Sequence, residues 1–287
     1  MSASEPGRTP SWPGGATRLA GVIGHPIRHS LSPVLHNAAF AALELDWAFV
    51  AFDVAPGQGG AAVEGMRALG IEGLSVTMPH KADAAAAVDE LAPHAVTLGS
   101  VNTVVRRGNT LVGENTDGAG FINALRLDEG FDPAGRKCVV FGAGGAARAV
   151  VLALADAGAS EVIVVNRTPD RAAVAAALAP AVARVGVEAD AASADLVVNA
   201  TPVGMTGDAG VPLDASLLHG GQLVVDLVYI PAVTPLVSAA RERGATAVNG
   251  LGMLIHQAAL AIQHWTGLDA PLEAMSAAAV AELTLHR

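Results

Sequence analysis

The chain has 287 residues, 52% of them hydrophobic, 15% charged and 3% aromatic, with a formal net charge of −10. That length calls for two packed units whose cores are built largely of Ala and Val. The acidic balance, with no Lys/Arg cluster, argues against a nucleic-acid surface, which needs a concentrated basic face, and the longest apolar run, Ala172–Ala183, contains Pro180 and is well short of the roughly 18 residues needed to span a bilayer.

Residues 1–17, MSASEPGRTPSWPGGAT, are rich in Pro, Gly and Ser and lack an apolar secretion segment, so a disordered tail on a cytoplasmic protein is expected. From Arg18 onward, short β-branched runs (LAGVIG, AFVAFDV, LSVTM, KCVVFGAGG, EVIVVN, LVVNA, LVVDLVY) alternate with Ala-rich helical stretches, which predicts parallel sheets covered by helices. VNTVVRRGNTLVG reads as a hairpin turning at Gly108 and Asn109, so the first sheet should be mixed. FINALRLDEG reads as a connecting helix ahead of the strand Lys137–Phe141, and residues 202–219 as loop. Two Ala-rich helices, Met253–Trp265 and Pro271–Leu285, close the chain; periodicity leaves open whether they extend the second unit or return to the first. Cys138, the single cysteine, sits in an apolar run and reads as a buried, inert thiol.

The strongest local signal is CVVFGAGGAARAVVLALADAGA, a strand running into Gly142, Gly144 and Ala147 and then into a helix. Gly142 permits the tight turn, Gly144 lets a pyrophosphate approach the backbone and Ala147 lets the helix lie close on the strand, with the helix N-terminus facing the anion. The expected cofactor cradle is Gly142, Ala143, Gly144, Gly145 and Ala146. At the end of the next strand, where an Asp or Glu would bind the ribose 2′-hydroxyl of NAD, stand Asn166, Arg167 and Thr168, with Arg171 one turn on. A guanidinium pairs with a 2′-phosphate that a carboxylate would repel, so the expected cofactor is NADP(H); the plainer alternative is two solvated surface arginines. No metal site is expected.

In the first unit, GHPIRHSLSPVLHNAAF places Ser30 and Ser32 beside a helix start, a cradle for a carboxylate. Ser32 followed by Pro33 also reads simply as a helix cap. LSVTMPHKADA and GENTDG bring Lys81 and Asp117 into the same unit. Hydride reduction of a ketone leaves an oxygen that must gain a proton; Lys81 can supply it, and Asp117 can keep the ammonium charged.

GHPIRHSLSP, SVTMPHK, SVNT, ENTDG, FGAGGAARA, NRT, NATPVGM, DLVY and GLGML..Q follow one another as in the shikimate dehydrogenase family, which this chain resembles from about residue 20 to residue 265. The resemblance implies two α/β domains with a cleft between them. One is a discontinuous substrate domain, 18–117 with 253–287 returning to it, carrying a mixed, mainly parallel sheet; the other is a Rossmann-like NADP-binding domain, 118–252. It implies that Ser30 and Ser32 hold the substrate carboxylate, that Thr77, Asn102 and Gln257 bind ring hydroxyls and that Tyr229 lines the site. Lys81 and Asp117 would be the catalytic pair, and Gly250 and Met253 would lie near the nicotinamide. The implied reaction is reversible reduction of 3-dehydroshikimate to shikimate by a monomer or homodimer that binds neither nucleic acid nor membrane. The alternatives are a paralogue acting on quinate or an amino analogue, and a non-catalytic ligand sensor. Ser75, His80 and Pro202 depart from the family pattern, and for His80 a packing or surface role is expected instead of a proton relay.

Overall fold

The computed structural model describes residues 13–205 and 207–285. Most of the expected disordered tail, residues 1–12, lies outside them. Residues 13–17, which the sequence assigned to that tail, instead form a turn: Gly14 N–H donates to Thr17 Oγ1 (2.8 Å), and that hydroxyl donates to Asp46 (2.7 Å). A carboxylate reachable only through the fold holds this end of the segment.

The chain divides into two compact units. Of the described residues, one comprises those up to Leu91, Val101–Glu114 and those from Ala261 on; the other comprises those within Ala92–Ser100 and Asn115–Leu260. In chain order the first unit holds β1 (Arg18–Gly24), α1 (Ser32–Ala42), β2 (Trp47–Asp53), α2 (Gly59–Leu69), β3 (Gly73–Val76), α3 (Lys81–Ala87) and β4 (Glu90–Leu91). After α4 (Pro93–Leu98), which belongs to the second unit, it resumes with β5 (Thr103–Arg107) and β6 (Thr110–Glu114). The second unit continues with α5 (Asp117–Asn123), β7 (Lys137–Phe141), α6 (Gly145–Asp156), β8 (Glu161–Val165), α7 (Pro169–Ala176), β9 (Ala183–Val185), β10 (Leu196–Asn199), β11 (Leu223–Asp226), α8 (Pro235–Glu242) and β12 (Thr246–Asn249). Helix α9 (Leu251–Thr266) passes from the second unit into the first, where α10 (Leu272–Leu285) packs on α1.

The first sheet has the order β2-β1-β3-β5-β6-β4. β1 pairs in parallel with β2 and β3, while β3–β5 and β5–β6 are antiparallel, which makes the sheet mixed. The β5–β6 hairpin turns at Gly108, in the left-handed region at φ 64°. Trp265, at the end of α9, donates its indole N–H to Val104 O (3.1 Å), fastening the returning C-terminal segment to β5.

The second sheet, β12-β11-β10-β7-β8-β9, is wholly parallel. Its central strands are buried on both faces, so they read as continuous apolar runs with no polar alternation. Cys138 and Val140 of β7 face the core under α5, α6 and α7; Val139 and Phe141 face the core under α8. Burial pushes the Cys138 thiol up to about 12, so the thiolate needed for nucleophilic chemistry does not form near neutral pH. No helix among the described residues is long and apolar enough to cross a membrane.

Candidate active site

In the first unit the chemistry-bearing residues gather at one end of the sheet. Ser30 and Ser32 follow β1, Thr77 follows β3, Lys81 opens α3, and Asn102 immediately precedes β5, which runs antiparallel to β3. This is the carboxyl end of the parallel strands, where open α/β sheets bind ligands. Main-chain hydrogen bonds lock the arrangement: Thr77 N–H to Ile23 O (2.9 Å), Val76 N–H to Asn102 O (2.7 Å), Val101 N–H to Lys81 O (3.0 Å) and Asn102 N–H to Glu114 O (3.1 Å). Asn102 is 3% exposed, and its Oδ1 accepts from Thr103 Oγ1 (3.1 Å).

The two serines exchange the structural roles the sequence suggests. Ser32 is the first helical residue, Leu31 occupies the capping position, and the Ser32 side chain makes no cap hydrogen bond. Ser30 Oγ instead accepts from Ser32 N–H (3.2 Å), so Ser30 shapes the helix entry. Leu31 has already taken an αR backbone, with φ −79° and ψ −9°, which starts the helix one residue earlier than a serine cap would.

In the second unit, β7 runs into Gly142 at φ 114°, whose N–H donates to Val165 O (2.8 Å). A side chain there would be strained, and its Cβ would stand 2.7 Å from Ala200 O, so only glycine serves. Gly144 and Gly145 are exposed and have no atom within 4 Å of where a Cβ would be, which leaves space over the N-terminus of α6. Ala143 and Ala146 are half-buried, and Ala147 is fully buried beneath the helix. Asn166 Nδ2 donates to Thr168 O (2.9 Å), shaping the turn after β8. Arg167, Thr168 and Arg171 are exposed, and neither arginine is in an ion pair among the described residues. The residues present therefore fit a dinucleotide with a 2′-phosphate: an open helix N-terminus for the pyrophosphate and two uncommitted guanidinium groups at the ribose end.

At the far side of this sheet, Gly250 leads into α9, and Met253 packs on the core and borders a pocket of about 270 Å³. Tyr229 is half-buried, and burial raises its hydroxyl above the usual range. Asp117, 6% exposed, opens α5, and Thr116 Oγ1 donates to Gln257 O (3.1 Å), so the segments carrying Asp117 and Gln257 meet within this unit. No group of three or more His, Cys, Asp or Glu side chains is placed to hold a metal among the described residues.

Residues 22–104 match the shikimate dehydrogenase substrate binding domain, and residues 250–280 match the shikimate 5′-dehydrogenase C-terminal domain. Residues 137–229 match a domain described as NADP oxidoreductase, coenzyme F420-dependent. The shikimate dehydrogenase (NADP(+)) of Moorella thermoacetica is 45% identical over 271 residues, spanning 91% of this chain and 92% of that one. The chain belongs to the shikimate dehydrogenase family. Among solved structures, a shikimate dehydrogenase in complex with NADP+ superimposes with a TM-score of 0.91 at 37% identity, covering 96% of this chain and 99% of that one. The shikimate 5-dehydrogenase of Thermus thermophilus, in complex with NADP(H) and shikimate, gives 0.87 at 38%, covering 92% and 99%.

Two of the departures from the shikimate dehydrogenase pattern acquire a physical description. His80 is fully buried and its Nε2–H donates to Val54 O (2.8 Å), a packing role that ties the start of α3 to the loop after β2. Ser75 Oγ is buried without a hydrogen-bond partner. Pro202 is exposed, and nothing in the structure explains it.

Sequence reasoning missed a network at the ends of β10 and β11. Buried Asp226 accepts from Asn199 Nδ2 (2.8 Å), Thr234 Oγ1 (2.6 Å) and Val228 N–H (3.1 Å), while Asn199 Oδ1 accepts from Thr201 N–H and Oγ1. Burial raises the Asp226 carboxyl above its usual range against the opposing pull of these hydrogen bonds. NATPVGM and DLVY were the available signals, but neither states which partner each polar side chain meets.

Proposed function

We propose that this chain catalyses the NADP-dependent, reversible reduction of 3-dehydroshikimate to shikimate. The observation that carries the reading is its likeness, over 91% of its length, to a shikimate dehydrogenase named for NADP+. The open α6 N-terminus and the Arg167/Arg171 pair, in place of an acid after β8, support the cofactor choice.

Ser30 and Ser32 are assigned to the substrate carboxylate, Thr77, Asn102 and Gln257 to its ring hydroxyls, and Tyr229 to the lining of the site. Gly142, Ala143, Gly144, Gly145 and Ala146 cradle the pyrophosphate, Asn166, Arg167, Thr168 and Arg171 hold the adenosine 2′-phosphate end, and Gly250 and Met253 lie at the nicotinamide end. When bound, NADPH supplies the hydride. Lys81 delivers a proton to the substrate oxygen as negative charge develops there, and in the oxidation direction the same atom receives it. Asp117 is assigned as the other member of the catalytic pair, assisting proton transfer. The first unit is the substrate domain and the second the cofactor domain.

The test is initial rates of NADP+ and NAD+ reduction with shikimate and quinate measured separately. The expected result is a strong preference for shikimate with NADP+. Faster quinate oxidation, or a preference for NAD+, overturns the substrate or the cofactor assignment respectively.

A further inference from the structure

We infer that Asn115 is a positioning residue that sets the orientation of Asp117, an inference that rests on the reading of Asp117 as a catalytic group. α5 opens at Asp117, whose N–H is among the donors that a helix start leaves without an intrahelical partner. Asn115 Oδ1 accepts that N–H at 3.2 Å, closing a turn of the Asx type. Nδ2 of the same amide donates to Ser100 O at 2.9 Å. One planar group therefore ties the main chain of Asp117 to a segment distant in sequence.

That second anchor is itself held firmly. Ser100 N–H donates to Ala95 O (3.2 Å) across Gly99, which closes α4 in the left-handed region at φ 55°. One residue before Gly99, Leu98 O accepts from Arg148 Nη2 (2.8 Å), and Arg148 belongs to α6, the helix that opens at the glycine turn. Asp117 is thus referenced through Asn115, Ser100 and Leu98 to a long helix of the cofactor-binding unit. Asp117 is 6% exposed as a residue and has little freedom to reorient independently of its backbone, so a displacement of the α5 start carries the carboxylate with it. Misplacement of a reacting group by about 1 Å costs on the order of 10²-fold in rate. Among the described residues, the Asn115 side chain bonds only main-chain atoms of this framework, and the reacting group nearest to it in the chain is Asp117.

A double-mutant cycle tests this. Asn115→Ala is expected to lower kcat for shikimate oxidation by about 10-fold to 100-fold, with KM for NADP+ unchanged within about twofold. In an Asp117→Asn background the same change should lower kcat by no more than about twofold, because the group it positions is already disabled. An equal further loss in that background, or full kcat in Asn115→Ala while Asp117→Asn is impaired, overturns the inference and leaves the catalytic reading intact. Full kcat in Asp117→Asn overturns both. If Asn115→Ala fails to fold, Asn115→Asp takes its place: it keeps an acceptor for Asp117 N–H but sets a carboxylate oxygen against Ser100 O, and the same results decide.

Discussion

Thr116 Oγ1 donates a 3.1 Å hydrogen bond to Gln257 O, joining α5 to α9 one residue away from Asp117. The two helices come together closely because Gly120 faces the same stretch: a Cβ at Gly120 would stand 2.6 Å from Gln257 N and 2.8 Å from its Cα. Backbone atoms cannot rotate aside, so any larger residue must push the helices apart. Gly120→Ala is expected to destabilise the fold by about 1–3 kcal/mol and to raise KM for shikimate more than KM for NADP+. Denaturant titration and steady-state kinetics check this, and an unchanged midpoint with unchanged KM would contradict the close packing.

Lys81 is half-buried at the first turn of α3, its carbonyl held by Val101 N–H (3.0 Å). Removing its ammonium should leave the backbone intact and take away the proton source. Lys81→Ala is expected to lower kcat by at least roughly 10²-fold with little change in shikimate affinity. Near-normal turnover in that variant would remove Lys81 from the mechanism.

Arg167 is exposed at the turn after β8 and is in no ion pair among the described residues, so its loss should not disturb the fold. A hydrogen bond to a charged group is worth about 1.5–3 kcal/mol, so Arg167→Ala should raise KM for NADPH by roughly ten- to a hundredfold and leave KM for NADH nearly unchanged. Equal effects on both cofactors would mean that no 2′-phosphate is read there.

His36 is fully buried, stacked on Phe49 with ring centroids 4.0 Å apart, and its Nδ1–H donates to Ser32 O (2.8 Å). Burial lowers its pKa from 6.5 to about 4. Between these values the unfolded chain binds the proton and the folded one does not, so stability is full above about pH 6.5 and falls as the pH drops towards 4. The loss should reach about 2 kcal/mol by pH 5. His36→Phe keeps an aromatic ring in the stack and should abolish this component; the readout is the unfolding free energy of both proteins at pH 7 and pH 5. Parallel losses would assign the pH dependence to other groups.

Much of the fold was written locally. Alternation of β-branched runs with Ala-rich stretches specifies parallel sheets because each element must bury a face. Gly108 marks the hairpin because a two-residue turn needs a positive φ, and Gly142 marks the dinucleotide turn for the same reason. The absence of an acid after β8 is likewise a property of a few adjacent residues. The chain order of the motifs carried the family, and with it the candidate site.

Only the tertiary structure decided what depends on partners far apart in the chain. It put residues 92–100 with the second unit, seated α10 on α1, reversed the structural roles of Ser30 and Ser32, and paired Asn115 with Ser100 and Asn199 with Asp226. Periodicity tells which face of an element is apolar, not which neighbour covers it. A hydrogen bond between distant residues depends on strand order, register and the angle at which a helix begins, and these are set when the whole core packs together.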